Sequence, residues 1–151
     1  MIGLLQRVSS ACVRVGGRET ARIGPGLLVL IGVQRGDTER EADRLLERLV
    51  NYRVFPDPRG RMNLSLTDVG GGLLLVPQFT LAAETRKGSR PGFSTAAEAA
   101  EGTRLFSYLA AAARRGVGEV QTGEFGAHME VTLTNDGPVT FWLEVPPAPA
   151  G

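Results

Sequence analysis

Two short segments hold the residues of this chain whose types could do chemistry, Pro77-Gln78-Phe79-Thr80-Leu81 and Asn135-Asp136-Gly137-Pro138. Gln78, Phe79 and Thr80 end an apolar run of strand length, where sheet-edge groups become free. A main-chain N–H at such a place can stabilise a developing oxyanion, and one good donor is worth about 3–4 kcal/mol. Pro77 has no N–H, so it weakens the ladder and suits the rim of a sheet. In the second segment, an X-Pro bond is the one peptide bond that takes the cis form at modest cost, about 0.5–1 kcal/mol. Glycine before it lifts most steric limits, so the step can turn carbonyls toward a ligand. Each segment also has a plain reading. Phe79 and Leu81 can be core with Thr80 a strand former, and Asn-Asp-Gly-Pro can be an ordinary turn.

The rest of the inventory excludes several mechanisms. His128 is the only histidine and Cys12 the only cysteine, too few for an imidazole or thiolate metal site, so neither metal nor cofactor is expected. A Ser-His-Asp arrangement would have to use His128, which falls on the polar face of its strand and follows no Gly-x-Ser-x-Gly elbow. Acids are many, but no spacing singles out a pair for sugar chemistry. Catalysis by backbone dipoles is what remains. With a net charge of +1, the chain does not coat nucleic acid electrostatically, and any RNA contact must be local. The one basic cluster is Arg86-Lys87-Gly88-Ser89-Arg90, a solvated loop with room between its charges for a phosphate backbone.

These segments need a scaffold, and 151 residues with 42% apolar side chains suffice for one domain. Ile2 to Arg7 and Ala11 to Val15 read as short strands, and Gly16-Gly17 as a hairpin turn into a third, Arg18 to Ile23. Leu27 to Val33 and Leu73 to Phe79 are continuous apolar runs, as in strands buried on both faces. Between them, Thr38 to Tyr52 carries apolar residues at helical spacing and predicts an amphipathic helix, closed by Pro56 and Pro58. Thr95 and Glu98 predict a capping box that starts a helix running to Arg115, with Gly102, Leu105, Phe106, Leu109, Ala112 and Ala113 as its buried stripe. The last third predicts three strands, Glu119 to Glu124, His128 to Thr134 and Val139 to Glu144. Met129, Val131 and Leu133 share one face of the middle one. Cys12 reads as a small buried hydrophobe. No run is long enough to span a bilayer and Met1 to Arg7 lacks signal-peptide order, so a cytoplasmic protein without membrane association is expected.

Taken together, Pro77-Gln78-Phe79-Thr80-Leu81 and Asn135-Asp136-Gly137-Pro138-Val139-Thr140 resemble the two signature motifs of the D-aminoacyl-tRNA deacylases. Gln6-Arg7-Val8-Ser9-Ser10, Gly26-Leu27-Leu28-Val29-Leu30, Met62-Asn63-Leu64-Ser65-Leu66 and Lys87-Gly88-Ser89-Arg90-Pro91 match in the same order. The resemblance runs from Met1 to about Glu144. It implies an α/β fold of two strands, two strand-helix units and three strands, with mixed and antiparallel sheets forming a barrel-like core beside two main helices. The expected domain is 1–145, with 146–151 as a flexible tail.

The resemblance further implies a homodimer that binds tRNA and hydrolyses the ester between a D-amino acid and the terminal ribose, with glycyl-tRNA also accepted. Gly137 and Pro138 match the family's cis step, whose carbonyls reach into the partner's site and exclude an L side chain. Gln78, Phe79 and Thr80 match the segment lining the scissile ester, with the Phe79 N–H as oxyanion donor. Arg7 matches a residue beside the Gly-Pro element, and Met129 joins these as substrate-binding. Pro77 departs from the family's usual serine, so no hydroxyl there can take part. A sister branch that removes L-alanine from a threonine tRNA also carries proline there, but Phe79 and Val139 side with the main branch. The alternatives are that sister activity and a non-catalytic dimeric RNA-binding protein.

Overall fold

The computed structural model describes residues 1–150. In chain order it contains β1 (Ile2–Val15), β2 (Arg18–Ile23), β3 (Gly26–Gly32), α1 (Glu39–Asn51), β4 (Phe55–Pro56), β5 (Met62–Leu64), α2 (Leu66–Val69), β6 (Gly72–Pro77), a 3₁₀ turn (Phe79–Ala82), α3 (Ala99–Gly116), β7 (Val120–Thr122) and β8 (Glu130–Glu144). The main sheet has the order β2-β1-β3-β6-β7, with β8 also paired to β1. β1 runs antiparallel to β2, β3 and β8, whereas β3-β6 and β6-β7 are parallel. β2 returns over β6 and β7, so the mixed sheet nearly closes into a barrel, with α1 and α3 packed outside. This is the expected α/β class.

The two continuous apolar runs follow from this layering. Leu27, Val29 and Ile31 of β3, with Leu73 and Leu75 of β6, face the helices, while Leu28, Leu74 and Val76 face the barrel interior. Both sides of each strand leave water, so alternation disappears from the sequence. Val8, Ala11 and Val13 of β1 complete the interior with Ala21 and Ile23 of β2. Cys12 is buried.

Several boundaries differ from expectation. β1 is one 14-residue strand where two were read, because β8 pairs along nearly its full length. Likewise His128 to Thr134 and Val139 to Glu144 are not separate strands, since Glu130–Glu144 is a single strand and His128 lies just before it, exposed. The Thr95 capping box does not form. Thr95 Oγ1 donates instead to the Ala82 carbonyl, and α3 starts with Glu98 as an N-cap without a side-chain bond. Ala110 rather than Ala112 is buried in its stripe. Within the expected polar loop after α1, β4 and β5 pair as a small hairpin, followed by α2 on a Ser65–Asp68 capping box. β7 is shorter than expected, Val120–Thr122. Residues 146–150 form no helix or strand, with Pro147 lying against Gly36, and Gly151 lies outside the described residues.

The start of α1 shows how one buried acid secures an element. Glu41 Oε2 accepts from the Thr38 N–H and hydroxyl, both at 2.7 Å, and Arg40 Nε donates to Oε1 at 2.9 Å. Burial pushes this carboxyl up, but the Thr38 bonds and then the Arg40 charge outweigh it, taking it from 4.5 to about 2. A carboxylate held this low contributes stability that is complete above the ordinary range and is lost as pH falls toward 2. Glu41→Ala is therefore expected to cost about 1–2 kcal/mol at pH 7, with the gap to the parent narrowing between pH 5 and pH 2. Urea unfolding at several pH values measures this; a constant gap would contradict it.

Candidate active site

The first motif sits on a turn that its neighbours dictate. β6 stops at Pro77, opposite Ile31 of β3, and the next amide, Gln78 N–H, donates to the Ile31 carbonyl at 2.7 Å. The chain then enters the 3₁₀ turn, so Gln78 and Phe79 lie beyond the strand expected to contain them. Proline with no donor ends the ladder there. The turn lies directly on Gly32, where a Cβ would come 2.9 Å from Leu81 Cβ and 3.3 Å from the Gln78 carbonyl oxygen. Glycine at 32 permits this approach. The amides of Phe79 and Thr80 open the turn and so have no intrahelical acceptor behind them. Gln78 Nε2 donates to Thr80 Oγ1.

Phe79 is not core: it is 55% exposed, and its ring lies 5.2 Å from that of Phe93. It borders an apolar cleft of about 470 Å³, lined also by Pro77, Phe93, Phe125 and the start of α3. A second cleft, about 700 Å³, is lined by Thr80, Glu84, Arg86, Trp142 and Glu144 among others. Glu84 is the acid next to the Thr80 side of this cleft, and its hydrogen bonds from the Arg86 side chain hold it at about 2. Such a carboxylate is a poor general base. Among the described residues, no group of three or more His, Cys, Asp or Glu could hold a metal ion. Met129 lies with this first motif. Its sulfur and the Pro77 ring crowd one face of Gly123, 2.8 and 3.2 Å from where a Cβ would stand, and the sulfur accepts from the Glu124 N–H.

The second motif is a bulge in β8, where a hairpin turn was the plain alternative. Gln6 pairs with Thr140 and Val8 with Asn135, so Asp136, Gly137, Pro138 and Val139 stand opposite the single residue Arg7. The surplus chain is forced out of the sheet. Two side chains clamp it. Asn135 Nδ2 donates to the Arg7 carbonyl at 2.9 Å and the Val139 carbonyl at 3.0 Å, closing the base of the bulge. Arg7 Nε donates to the Asp136 carbonyl at 3.0 Å, and Nη1 to the Val54 carbonyl at 2.6 Å. The Gly137-Pro138 bond is cis, and Gly137 has φ +135°, a conformation that L side chains rarely adopt. Both residues are exposed.

Within one chain the candidate residues thus form two groups. Gln78, Phe79, Thr80 and Met129 lie near the Ile31 end of β3, whereas Arg7, Gly137 and Pro138 lie near Gly26 and Leu27, at its other end. From Ile2, opposite Gly32, to Arg7 is about 17 Å along β1 at the usual rise per residue. Neither large cleft includes a residue of the second group. Three contributors escaped the sequence reading: Phe93, Phe125 and Asn135. An aromatic in the polar stretch around Phe93 was the available signal for that one, whereas Asn135 looked like any turn residue.

Comparison with known proteins completes the assignment. The family model described as D-Tyr-tRNA(Tyr) deacylase matches residues 4–144. A D-aminoacyl-tRNA deacylase of Thioalkalivibrio sulfidiphilus is 66% identical over 97% of this chain and 99% of its own length. One from Nitrosococcus oceani is 60% identical over 98% and 96%. Among solved structures, "c-Myc DNA Unwinding Element Binding Protein" superposes with TM-score 0.93 at 36% identity, covering 97% of this chain and 99% of the other. A "probable eukaryotic D-amino acid tRNA deacylase" shares the fold, with TM-score 0.82 at 18% identity over 95% of this chain and 98% of its own. Fold and motifs define an aminoacyl-ester hydrolase without a metal-ligand cluster or a histidine triad. The chain belongs to the D-aminoacyl-tRNA deacylase family, and its activity is hydrolysis of the D-aminoacyl-tRNA ester.

Proposed function

We propose that this deacylase works as a homodimer in which the Gly137-Pro138 bulge of one protomer enters the site built on Gln78, Phe79 and Thr80 of its partner. The supporting observation is the separation of the two groups in one chain, together with a bulge that is exposed and rigidly clamped. The Phe79 N–H bonds the ester carbonyl oxygen as it gains charge. Water attacks that carbonyl with help from the 2′-hydroxyl of the terminal ribose, the C–O bond to the ribose breaks, and the ribose oxygen takes up a proton. The carbonyls of Gly137 and Pro138 occupy the space an L side chain needs. A pocket that merely prefers one substituent gains only about 1–3 kcal/mol, whereas a fixed steric clash excludes the wrong hand outright. Glycine has no side chain to clash, so glycyl-tRNA is a substrate too.

Incubation with D- and L-tyrosyl-tRNA tests this reading. Release of free tRNA from the D ester alone is expected; equal rates, or none on either, would overturn it. Pro77 favours a second reading, the sister activity on L-alanyl-tRNA. Faster hydrolysis of L-alanyl-tRNA than of the D-tyrosyl ester would select it.

Thr80 is a poor nucleophile here, since its hydroxyl accepts from Gln78 and the acid lining its cleft is neutralised by Arg86. Thr80→Ala is expected to keep kcat within about tenfold of the parent in steady-state assays. Complete loss in a folded, tRNA-binding variant would make Thr80 the nucleophile.

A further inference from the structure

The loop from Thr85 to Pro91 belongs to no helix or strand, yet it is firmly seated beside the reactive turn. Glu84 and Gly92 exchange both backbone bonds at its base, at 2.8 and 3.0 Å. Its incoming arm continues directly from the 3₁₀ turn. Its outgoing arm carries Phe93, which packs on Phe79, and Thr95, which bonds the carbonyl of Ala82 in that turn. Arg86 is spent on Glu84 through a paired set of hydrogen bonds. Lys87 and Arg90 are exposed and, among the described residues, form no ion pair. Two free cations thus stand beside an exposed pair of aromatic rings, on a chain whose net charge of +1 supplies almost no general attraction for RNA.

Free cations along a backbone path, next to aromatic faces, are the means by which single-stranded nucleic acid is held without reading its sequence. We propose that Lys87 and Arg90 bind the phosphates immediately 5′ to the terminal adenosine of the tRNA, while Phe93 offers its ring to an adjoining base. The inference rests on the ester being bound at Phe79. The terminal ribose then lies at the reactive turn, and the strand leads away from it over the nearest ridge, this loop. Lys87 and Arg90 are binding residues and touch no reacting atom.

The test compares the parent with the Lys87→Gln/Arg90→Gln double variant on two substrates, D-tyrosyl-tRNA and D-tyrosyl-adenosine, which lacks any phosphodiester. On the tRNA, kcat/KM is expected to fall about tenfold or more, carried by KM, with the slope of log KM against log salt lowered by about 1. D-Tyrosyl-adenosine hydrolysis should stay within about twofold, since an exposed loop substitution leaves the reactive turn intact. Equal losses on both substrates, or no loss on the tRNA, would overturn the proposal. A parent inactive on D-tyrosyl-adenosine would instead count against the catalytic reading. Fluorescence binding of a single-stranded RNA trinucleotide ending in adenosine reads the loop independently of catalysis. Parent affinity no better than for adenosine alone, or unchanged in the double variant, would also overturn it. Lys87→Arg/Arg90→Lys is expected to restore tRNA binding.

Discussion

Phe79→Pro is expected to lower kcat by about 10²–10³-fold, against no more than about tenfold for Phe79→Ala. The two variants separate the amide from the ring, since both lose the ring and only proline loses the N–H. Proline is tolerated at this position because Phe79 is the first residue of a helical turn, where the missing donor had no intrahelical partner. Gln78 before it has φ −142° and ψ 82°, outside the helical region that a following proline disfavours. The fold should therefore survive, as circular dichroism can verify. Single-turnover hydrolysis of D-tyrosyl-tRNA gives the comparison. Equal rates for the two variants would remove the Phe79 amide from the mechanism.

What the sequence displayed of the fold was whatever burial writes directly into it. Leu27 to Val33 is apolar at every position because both faces of β3 are covered, and Ala42, Leu45 and Leu49 fall on one face of α1 because the sheet lies on that side only. Lengths and breaks were less legible. Gly137-Pro138 within Asn-Asp-Gly-Pro is a strong local turn signal. It is overridden because β1 keeps pairing on both sides of Arg7, so the chain loops out and resumes the same direction. Local chemistry cannot distinguish that bulge from a reversal. Thr95 shows the same conflict: its hydroxyl serves a carbonyl thirteen residues earlier rather than the helix beside it. The hydrogen bond wins by tertiary placement, which no short window contains.

The candidate site was legible as two motifs and illegible as one place. Composition had removed metals, thiols and a histidine triad, which directs attention to main-chain groups. Nothing in a linear pattern says that the ends of β3 are involved separately, one with the free amides and the other with the clamped carbonyls. That division appears only once Gln78 is seen bonded to Ile31, and Arg7 to Asp136. Asn135 was hidden for a related reason, because its two acceptors become neighbours only when the bulge has formed.

Gly137→Val should reduce deacylation by about 10²-fold, a loss typical of misplacing a positioning group by about 1 Å. A Cβ at Gly137 would lie 2.7 Å from Val139 Cγ2 and 3.2 Å from Arg7 Nη2, at a φ of +135°. The clamp would have to open or the carbonyls rotate. Because the bulge is exposed, the cost to stability should be of order 1–3 kcal/mol, leaving a folded protein. This variant and Phe79→Pro damage different halves of the proposed site, so mixing them is decisive. Random reassortment of protomers makes half the dimers mixed. In each, one site has both damaged halves and the other has both intact, so total activity should recover to about a quarter of the parent's. A site completed within a single protomer would give no recovery, since every copy carries one of the two defects. Activity of the mixture no greater than the sum of its parts, with exchange verified by mass spectrometry, would therefore place the bulge and the turn in the same chain's site.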